Sequence, residues 1–333
     1  MKNVKLNPSI ASLINWLKDK FNRRRIKKYH LFLELTNLCS ASCQTCLNRI
    51  MSRPRGVMDF EFFKKIVDLT SASNEIFGNV EFCGVGESYL VKNIKDYFDY
   101  AIPRYKERGI STTIVTNGSH TTFIPSGISH VDISFNAGRK ETYEAITGLN
   151  FEKVLNNIKA LDASGQLSPP ERTHIHMLVF EDNKNEIMDF VNLFKDTAAT
   201  LEFSFKYENQ CDVIDDKTLP AFKTRTRYPC MYATNSVFVC WNGVVIPCPH
   251  DFHASVIFGD LNKNSIGEIL SSPARIRMET EHRKKIFRGI CENCNYNITF
   301  ENKIFMFKAN KILTDPVENK RFRRMLSLAG LEQ

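Results

Sequence analysis

The segment Glu34-Leu-Thr-Asn-Leu-Cys-Ser-Ala-Ser-Cys-Gln-Thr-Cys46 decides how we interpret the fold of this chain. Residues 30–35, which lead into this segment, alternate in polarity and are apolar enough to predict a buried strand. Cys39, Cys43 and Cys46 then place three thiolates on one short loop that leaves this strand. Three thiolates suit a soft metal centre. Structural zinc sites usually take four protein ligands, whereas three cysteines can hold a cubane iron–sulfur cluster and leave one iron open.

The composition is that of an ordinary globular protein. The chain has 333 residues, 43% hydrophobic and 25% charged, which is enough for one large domain and a smaller one. It has no run of about 18 apolar residues, and residues 1–20 lack the features of a signal peptide. Its ten cysteines therefore indicate a reducing, cytoplasmic location and metal ligation, and not disulfides or incidental thiols. The net charge of +8 is too modest to predict a nucleic-acid partner.

Strands and helices alternate in the pattern from residue 30 to about residue 206. Six strands joined by helices predict an α/β fold with a parallel sheet, because parallel strands need crossover connections. In such sheets ligands bind at the carboxyl ends of the strands. The predicted strands are 30–35, 79–83, 111–115, 131–135, 174–180 and 201–205, and the predicted helices between them are 59–70, 91–107, 140–145, 151–163 and 184–196.

Three short motifs follow the second, third and fourth predicted strands. They are Cys83-Gly-Val-Gly-Glu-Ser88, Thr116-Asn-Gly118 and Ser134-Phe-Asn-Ala137. Taken alone, the first two are turns, although glycines allow a close backbone approach and Glu87 adds a carboxylate. In the third motif two polar residues alternate with a phenylalanine, so both point to the same side. All three motifs lie where a ligand is expected.

The cysteine loop and these motifs resemble the radical S-adenosylmethionine (SAM) superfamily. Its signature is Cys-x3-Cys-x2-Cys after the first strand, although Thr45 stands here where many members carry an aromatic residue. The resemblance implies a partial (β/α)6 TIM-like barrel and a [4Fe–4S] cluster held by Cys39, Cys43 and Cys46. SAM would chelate the open iron. A flavodoxin- or ferredoxin-type partner would reduce the cluster, and SAM would then be cleaved to a 5′-deoxyadenosyl radical that abstracts hydrogen from the substrate. The SAM contacts implied by this resemblance are Gly84, Gly86, Glu87, Thr116, Asn117, Ser134 and Asn136.

A second cysteine set lies in the carboxyl-terminal part of the chain. Trp241-Asn-Gly243 separates two β-rich runs, 236–240 and 244–247, which predicts a hairpin with a type I′ turn. Cys230 precedes this hairpin and Cys248 ends it, and a Cys291-x2-Cys294 pair follows two helical stretches, 265–271 and 275–287. Four thiolates are compatible with zinc or with an iron–sulfur cluster.

This second set, with Phe258-Gly-Asp-Leu261 between its halves, resembles the SPASM/twitch extension of radical SAM enzymes. No cysteine follows Cys294, which indicates the shortened twitch form with one auxiliary [4Fe–4S] cluster. Full ligation would leave no open iron for substrate, so the resemblance favours an electron-accepting role. The implied ligands are Cys230, Cys248, Cys291 and Cys294.

The resemblance predicts a radical SAM oxidoreductase that dehydrogenates an alcohol of a carbohydrate or an aminocyclitol. A peptide maturase or epimerase is the alternative, in which Cys240 or Cys211 would return a hydrogen atom to the substrate. A non-catalytic zinc-binding interaction protein is the alternative of another class. His174 and His176 share one face of a predicted strand, and they either line the barrel or are ordinary buried histidines.

We expect four units along the chain. Residues 1–29 contain a basic helix at 8–22 that we expect to pack outside the main domain, the alternative being an amphipathic helix that binds an anionic membrane or partner. Residues 30–206 form the radical SAM core. Residues 207–300 form the small twitch-type unit, a β-hairpin with helices. Residues 301–333 form a carboxyl-terminal tail with a basic helix after residue 315.

Overall fold

The computed structural model describes residues 28–73, 76–205, 227–294, 296 and 304–331. The predicted helix at 8–22 and Cys211 lie outside the described residues. None of the helices in the described ranges has the length and apolar character needed to cross a membrane.

Six parallel strands form the core of the sheet, each beside its neighbour in the chain, as predicted. Their apolar residues alternate with half-buried ones, which suits strands that are covered by helices on one face. The fold is therefore α/β with an open sheet, in agreement with the predicted partial barrel. The strands are β1 (Tyr29–Leu33), β2 (Phe77–Phe82), β3 (Ser111–Thr116), β4 (His130–Ser134), β5 (Thr173–Val179) and β6 (Thr200–Phe205).

Helices between these strands pack their apolar stripes on one face of the sheet. Asp59 caps the first helix by accepting a hydrogen bond from the backbone of Phe62 at 3.0 Å. Phe63 and Phe98 join the strand residues in one continuous core. The helices are α1 (Phe60–Ser71), α2 (Ile94–Glu107), α3 (Lys140–Thr147), α4 (Phe151–Ala163) and α5 (Ile187–Phe194).

Pro103 lies inside α2 and does not break it. The helix runs from Ile94 to Glu107 with Pro103 inside it. Pro103 lies on the exposed side, where the carbonyl of the preceding turn can tilt towards solvent.

The carboxyl-terminal part extends the same sheet. Strand β7 (Ser236–Val239) pairs parallel with β1, and β8 (Val244–Ile246) and β9 (Gly259–Asp260) follow antiparallel. At the other edge β10 (Ile304–Lys308) pairs antiparallel with β6. The remaining α-helices of the described ranges are α6 (Met231–Asn235), α7 (Ile266–Leu270), α8 (Pro273–Arg283) and α9 (Pro316–Leu328).

The hairpin between β7 and β8 is present, but its turn differs from the predicted type I′. A type I′ turn needs positive φ at both central residues, whereas Gly243 has φ +91° and Asn242 is absent from the positive-φ residues of the described chain. The backbone N–H of Gly243 donates to Cys240 O at 2.9 Å. The loop is therefore longer than the two residues that Asn-Gly suggests, and the left-handed glycine stands at its end.

The face of the sheet that points away from the helices is called the inner face here. Its side chains are mostly polar and half-buried, whereas the opposite face carries the apolar core. Residues on this inner face include His30, Phe32, Asn79, Glu81, Asp132, Ser134, His174, His176, Glu202 and Ser204.

Candidate functional site

The cysteine loop leaves the carboxyl end of β1 and is fastened to the carboxyl-terminal end of α3. The backbone N–H groups of Ser42 and Gln44 donate to Thr147 O and Ile146 O, both at 2.8 Å. The side chain of Asn48 donates to Asn37 O at 2.9 Å. These bonds hold three half-buried cysteines on one loop, namely Cys39, Cys43 and Cys46.

Hydrogen-bond donors point at two of these sulfurs. The backbone N–H groups of Ala41 and Asn48 contact Cys39 Sγ and Cys46 Sγ, each at 3.4 Å. Asn117 Nδ2 lies 3.7 Å from Cys39 Sγ. Burial, together with the thiols of Cys46 and Cys39, raises the pKa of Cys43 to about 12. Donors aimed at sulfur suit thiolates that a metal keeps deprotonated.

The spacing of the sulfurs does not match that of a compact single-ion site. A tetrahedral zinc site with Zn–S bonds of about 2.3 Å brings its sulfurs to within roughly 3.8 Å of one another. Across the described ranges, only Asp132, His174 and Glu202 place three His, Cys, Asp or Glu ligand atoms within 4.8 Å of one another. No three cysteines meet this distance there, so neither cysteine set is arranged as a compact single-ion site in the described structure.

The two glycines of the loop after β2 lie against the cysteine loop. A Cβ on Gly86 would lie 2.1 Å from Thr36 O, and a Cβ on Gly84 would lie 2.6 Å from Cγ of Glu34. The backbone N–H of Glu87 donates to Leu38 O at 2.8 Å. These glycines therefore allow two loops to pack together, a role that the sequence alone did not separate from ligand approach.

Glu87 organises the floor of the site. Its buried carboxylate accepts hydrogen bonds from the hydroxyl of Thr116 at 2.9 Å and from the backbone of Asn117 at 2.7 Å. It also accepts from the backbone of Tyr89 at 3.1 Å. Burial raises the pKa of Glu87, and these hydrogen bonds oppose the rise. The structure thus brings the predicted residues Glu87, Thr116 and Asn117 together, beside Cys39.

The predicted residues of the third motif, Ser134 and Asn136, lie at the end of β4. Asn136 Oδ1 accepts a hydrogen bond from the backbone of Leu178 at 2.9 Å, and Asn183 donates to Asn136 O at 2.7 Å. Asn136 therefore ties β4 to β5. Ser134 is half-buried on the inner face.

Glu34 is a site residue that sequence reasoning did not single out. Its carboxylate has no exposed surface and forms two hydrogen bonds of 2.8 Å with the guanidinium of Arg53. It also accepts from the backbone N–H groups of Val85 at 3.4 Å and Trp241 at 3.3 Å. One carboxylate thus joins β1, the loop after β2 and the hairpin. An acidic residue at the end of an apolar strand was the available signal.

The inner face contains a cluster around His174. His174 Nδ1 lies 3.0 Å from Glu202 Oε2 and 3.2 Å from Asp132 Oδ1. Burial would lower the pKa of His174, but the hydrogen bonds and charges of Asp132 and Glu202 outweigh it and raise the pKa to about 9. His176 Nε2 lies 2.6 Å from Ser204 Oγ, and burial lowers its pKa. The two histidines share a face, as predicted, and it is the inner one.

Four cysteines of the second set line one pocket. Two of them flank α6 and the hairpin, and two lie after α8, so the folded chain brings together residues that are far apart in sequence. The pocket is also lined by aromatic and cationic side chains, including Tyr232, His282 and Arg227. Burial and the neighbouring thiols of Cys294 and Cys230 raise the pKa of Cys291 to about 12. The cysteines are Cys230, Cys248, Cys291 and Cys294.

Tyr232 connects this pocket with the inner face. Its ring lies edge-on to Phe32 of β1, with the ring centroids 5.6 Å apart. Its hydroxyl lies 3.2 Å from that of Tyr296. Burial raises the pKa of Tyr232, and Tyr296, Glu81 and Cys83 add to the rise. The four-cysteine pocket and the inner face are thus adjacent.

Two further cysteines lie near this junction. Cys240 has no exposed surface and packs with Phe32, Phe238 and Ile246. Burial raises the pKa of Cys83 well above its usual value, and the charge and hydrogen bond of Glu81 add to this effect. Cys83 therefore borders the inner face, whereas Cys240 packs with apolar side chains and also lies beside the charges of Glu34 and Arg53.

Comparison with known proteins finds two regions of the chain that match family models. A family model described as the radical SAM superfamily matches residues 33–194. A model described as an iron–sulfur cluster-binding domain, SPASM, matches residues 230–295. The matched ranges contain both cysteine sets.

Several proteins are similar over most of the chain. A tungsten-containing aldehyde ferredoxin oxidoreductase cofactor-modifying protein of Pyrococcus furiosus is 24% identical over 310 residues, covering 80% of this chain and 85% of the relative. An S-adenosyl-L-methionine-dependent 2-deoxy-scyllo-inosamine dehydrogenase of Niallia circulans is 24% identical over 278 residues, covering 79% and 91%.

The fold also matches a solved structure. The crystal structure of BtrN in complex with AdoMet and 2-DOIA aligns with a TM-score of 0.54 at 18% identity, over 83% of this chain and 96% of that one. The predicted SAM and [4Fe–4S] cofactors are confirmed at the level of the family. The chain therefore contains a radical SAM domain followed by a SPASM iron–sulfur cluster-binding domain, which is the domain composition of a radical SAM enzyme.

Proposed function

We propose that this enzyme dehydrogenates an alcohol of a carbohydrate or an aminocyclitol. In this proposal Cys39, Cys43 and Cys46 hold the cluster that binds SAM. The four pocket cysteines, Cys230, Cys248, Cys291 and Cys294, hold one auxiliary [4Fe–4S] cluster. In this proposal the radical SAM core comprises residues 30–206, and the unit that holds the auxiliary cluster comprises residues 207–300.

The proposed SAM contacts surround the cysteine loop. They are Gly84, Gly86, Glu87, Thr116, Asn117, Ser134 and Asn136. When bound, SAM and a reduced [4Fe–4S] cluster supply a 5′-deoxyadenosyl radical, and the reducing electron comes from a flavodoxin- or ferredoxin-type partner. The substrate loses one hydrogen atom, one proton and one electron, which together convert a CH–OH group into a carbonyl group.

The position of Tyr232 carries the proposal. It lines the four-cysteine pocket, and it stacks edge-on to Phe32 of the inner face. A substrate on the inner face would therefore lie one aromatic layer from a fully ligated auxiliary cluster. Such a cluster has no open iron for substrate, so accepting the electron is the role that remains for it.

The chemistry of the inner face supports a hydroxyl-rich or amine-bearing substrate. Glu81, Asp132 and Glu202 contribute carboxylates, and His176 and Ser204 add neutral hydrogen-bonding groups. A peptide with apolar side chains would find few apolar contacts there. The name of the Niallia circulans relative, a dehydrogenase of 2-deoxy-scyllo-inosamine, points to the same class of substrate.

The first test is metal and sulfide analysis of the anaerobically purified protein. Two cubane clusters predict about eight iron and about eight sulfide per chain, falling to about four each in the Cys39→Ala/Cys43→Ala/Cys46→Ala variant. An iron content of about four that the triple variant leaves unchanged would overturn the radical mechanism, and zinc without iron would support a structural metalloprotein.

The second test uses the reconstituted enzyme with SAM, dithionite and 2-deoxy-scyllo-inosamine as the probe. The proposal predicts one ketone and one 5′-deoxyadenosine per turnover. A panel of cyclitols without the amine, and of linear peptides, serves as the control. Turnover of peptides alone would reject the proposed substrate class in favour of a maturase, in which Cys240 or Cys211 would be examined as a hydrogen donor.

A further inference from the structure

The ring of His282 contains a buried atom that the protein leaves without a partner. His282 lies in the last turn of α8 and is 2% exposed. Its Nδ1 accepts a hydrogen bond from the backbone N–H of Cys230 at 3.1 Å. Within the described chain, its Nε2 is buried and has no hydrogen-bond partner. Buried polar groups are normally paired, so this atom requires an explanation.

The hydrogen bond to Cys230 fixes the state of the ring. A backbone N–H can only donate, so Nδ1 must present its lone pair. In the neutral imidazole the hydrogen then lies on Nε2. The imidazolium form is excluded by the same contact, because it would carry hydrogen on both nitrogens. Nε2 is therefore a donor without an acceptor.

The surroundings of the ring supply one kind of acceptor. His282 lines the pocket that contains Cys230, Cys248, Cys291 and Cys294. The ring of Phe287 stands perpendicular to that of His282, with 5.1 Å between centroids, and offers no lone pair. The charge of Glu281 also acts on the ring, but Glu281 makes no hydrogen bond with Nε2. Sulfur atoms of a bound cluster are the acceptors that this pocket is built to hold.

We propose that Nε2–H of His282 donates a hydrogen bond to a sulfur of the auxiliary cluster and thereby raises its reduction potential. The proposal rests on the auxiliary cluster proposed above. Hydrogen bonds to cluster sulfurs are one of the factors that set the potential of iron–sulfur centres. A donor stabilises the reduced form more than the oxidised form, because reduction adds negative charge to the sulfurs.

Arg227 acts in the same direction from the same pocket wall. Its guanidinium donates to Glu292 O at 2.7 Å and to Cys291 O, and it stacks on Phe287 at 3.9 Å. A fixed positive charge next to the ligand loop also favours the reduced cluster. Together these groups make the cluster a better acceptor for an electron that leaves the substrate.

Two substitutions distinguish the roles of the two ring nitrogens of His282. In His282→Asn the side-chain oxygen can replace Nδ1 as acceptor for Cys230, but the distal donor is lost. In His282→Gln the longer side chain places an N–H donor near the position of Nε2. The two variants therefore remove different halves of the same residue.

The experiment is an anaerobic redox titration of the reconstituted full-length enzyme, followed by electron paramagnetic resonance. The cluster at Cys39, Cys43 and Cys46 provides the internal reference. We expect His282→Asn to lower the reduced-to-oxidised ratio of the auxiliary cluster about tenfold at fixed potential, which corresponds to a midpoint lower by about 59 mV for one electron. The potential of His282→Gln should stay close to that of the wild type.

An unchanged midpoint in His282→Asn would overturn the proposal. So would a shift in His282→Gln alone, which would assign His282 the purely structural role of holding Cys230. A wild type that contains only the first cluster would instead reject the proposed function itself, and iron analysis detects that case before the titration.

Discussion

Gly86 stands where the loop after β2 meets the cysteine loop. A Cβ at this position would lie 2.1 Å from Thr36 O, 2.8 Å from Asn37 Cα and 2.8 Å from Leu38 O. All three are backbone atoms of the loop that carries the first cysteines. Ordinary contact begins at 3.4 Å, so Gly86→Ala requires the two loops to separate by about 1 Å, which no side-chain rotation can supply.

The expected loss of folding free energy follows from the contacts that this separation strains. Overpacking of a close contact costs about 1–3 kcal/mol, and here the hydrogen bond of 2.8 Å from Glu87 N to Leu38 O is strained as well. We therefore expect Gly86→Ala to destabilise the protein by about 3 kcal/mol. It should also displace Cys39, because the moved backbone leads directly into that residue.

The assay measures iron, sulfide and the thermal midpoint of anaerobically purified Gly86→Ala, and then SAM cleavage after reconstitution. We expect loss of about four iron, with the auxiliary cluster retained. The matched control is Gly267→Ala on α7, where the nearest atom to the new Cβ is Ser265 Oγ at 4.0 Å. Alanine should be neutral there or stabilise the helix by up to about 1 kcal/mol. Wild-type iron content and SAM cleavage in Gly86→Ala would refute the packing argument.

Two other predictions concern buried charges. Glu34→Gln should destabilise the protein by about 3–5 kcal/mol, because it leaves the guanidinium of Arg53 buried without its counter-charge; adding Arg53→Gln should cost little more, and additive losses in thermal denaturation would contradict this coupling. His174, with its pKa raised to about 9 by Asp132 and Glu202, should contribute stability that is fully present below about pH 6.5 and lost as the pH rises through 9. Thermal midpoints of wild type and His174→Gln should therefore converge above pH 9, and a constant difference from pH 6 to pH 10 would argue against the charged form.

Much of the barrel could be predicted from the sequence because its strands are local signals. Alternating apolar residues mark β1 to β6, and apolar stripes and the Asp59 cap mark the helices between them, so neither depends on distant contacts. The carboxyl ends of parallel strands meet at one edge, so the motifs after β1, β2 and β3 were expected to meet, and the contacts of Glu87 with Asn117 show that they do.

The rest depends on pairing that no local pattern reveals. Nothing in residues 236–239 states that β7 pairs parallel with β1, and β10 joins the sheet from the far end of the chain. The same applies to side chains. Glu34 and Arg53 look like two ordinary charged residues in the sequence, and only the fold buries them together. His282 likewise has a buried nitrogen without a partner only because α8 packs against Cys230.

The segment after Cys46 and the segment after Cys248 are fastened to each other. Phe252, shortly after Cys248, packs with Leu47, Met51 and Val85 in one buried cluster. Arg53 donates to Phe252 O at 2.9 Å, and Ser52 Oγ lies 2.6 Å from His253 Nδ1. A displacement of the four-cysteine pocket would therefore disturb the loop that follows Cys46. In the proposed mechanism the substrate loses hydrogen at one centre and an electron at another, so both centres must lie at fixed distances from it, and these contacts would supply that constraint.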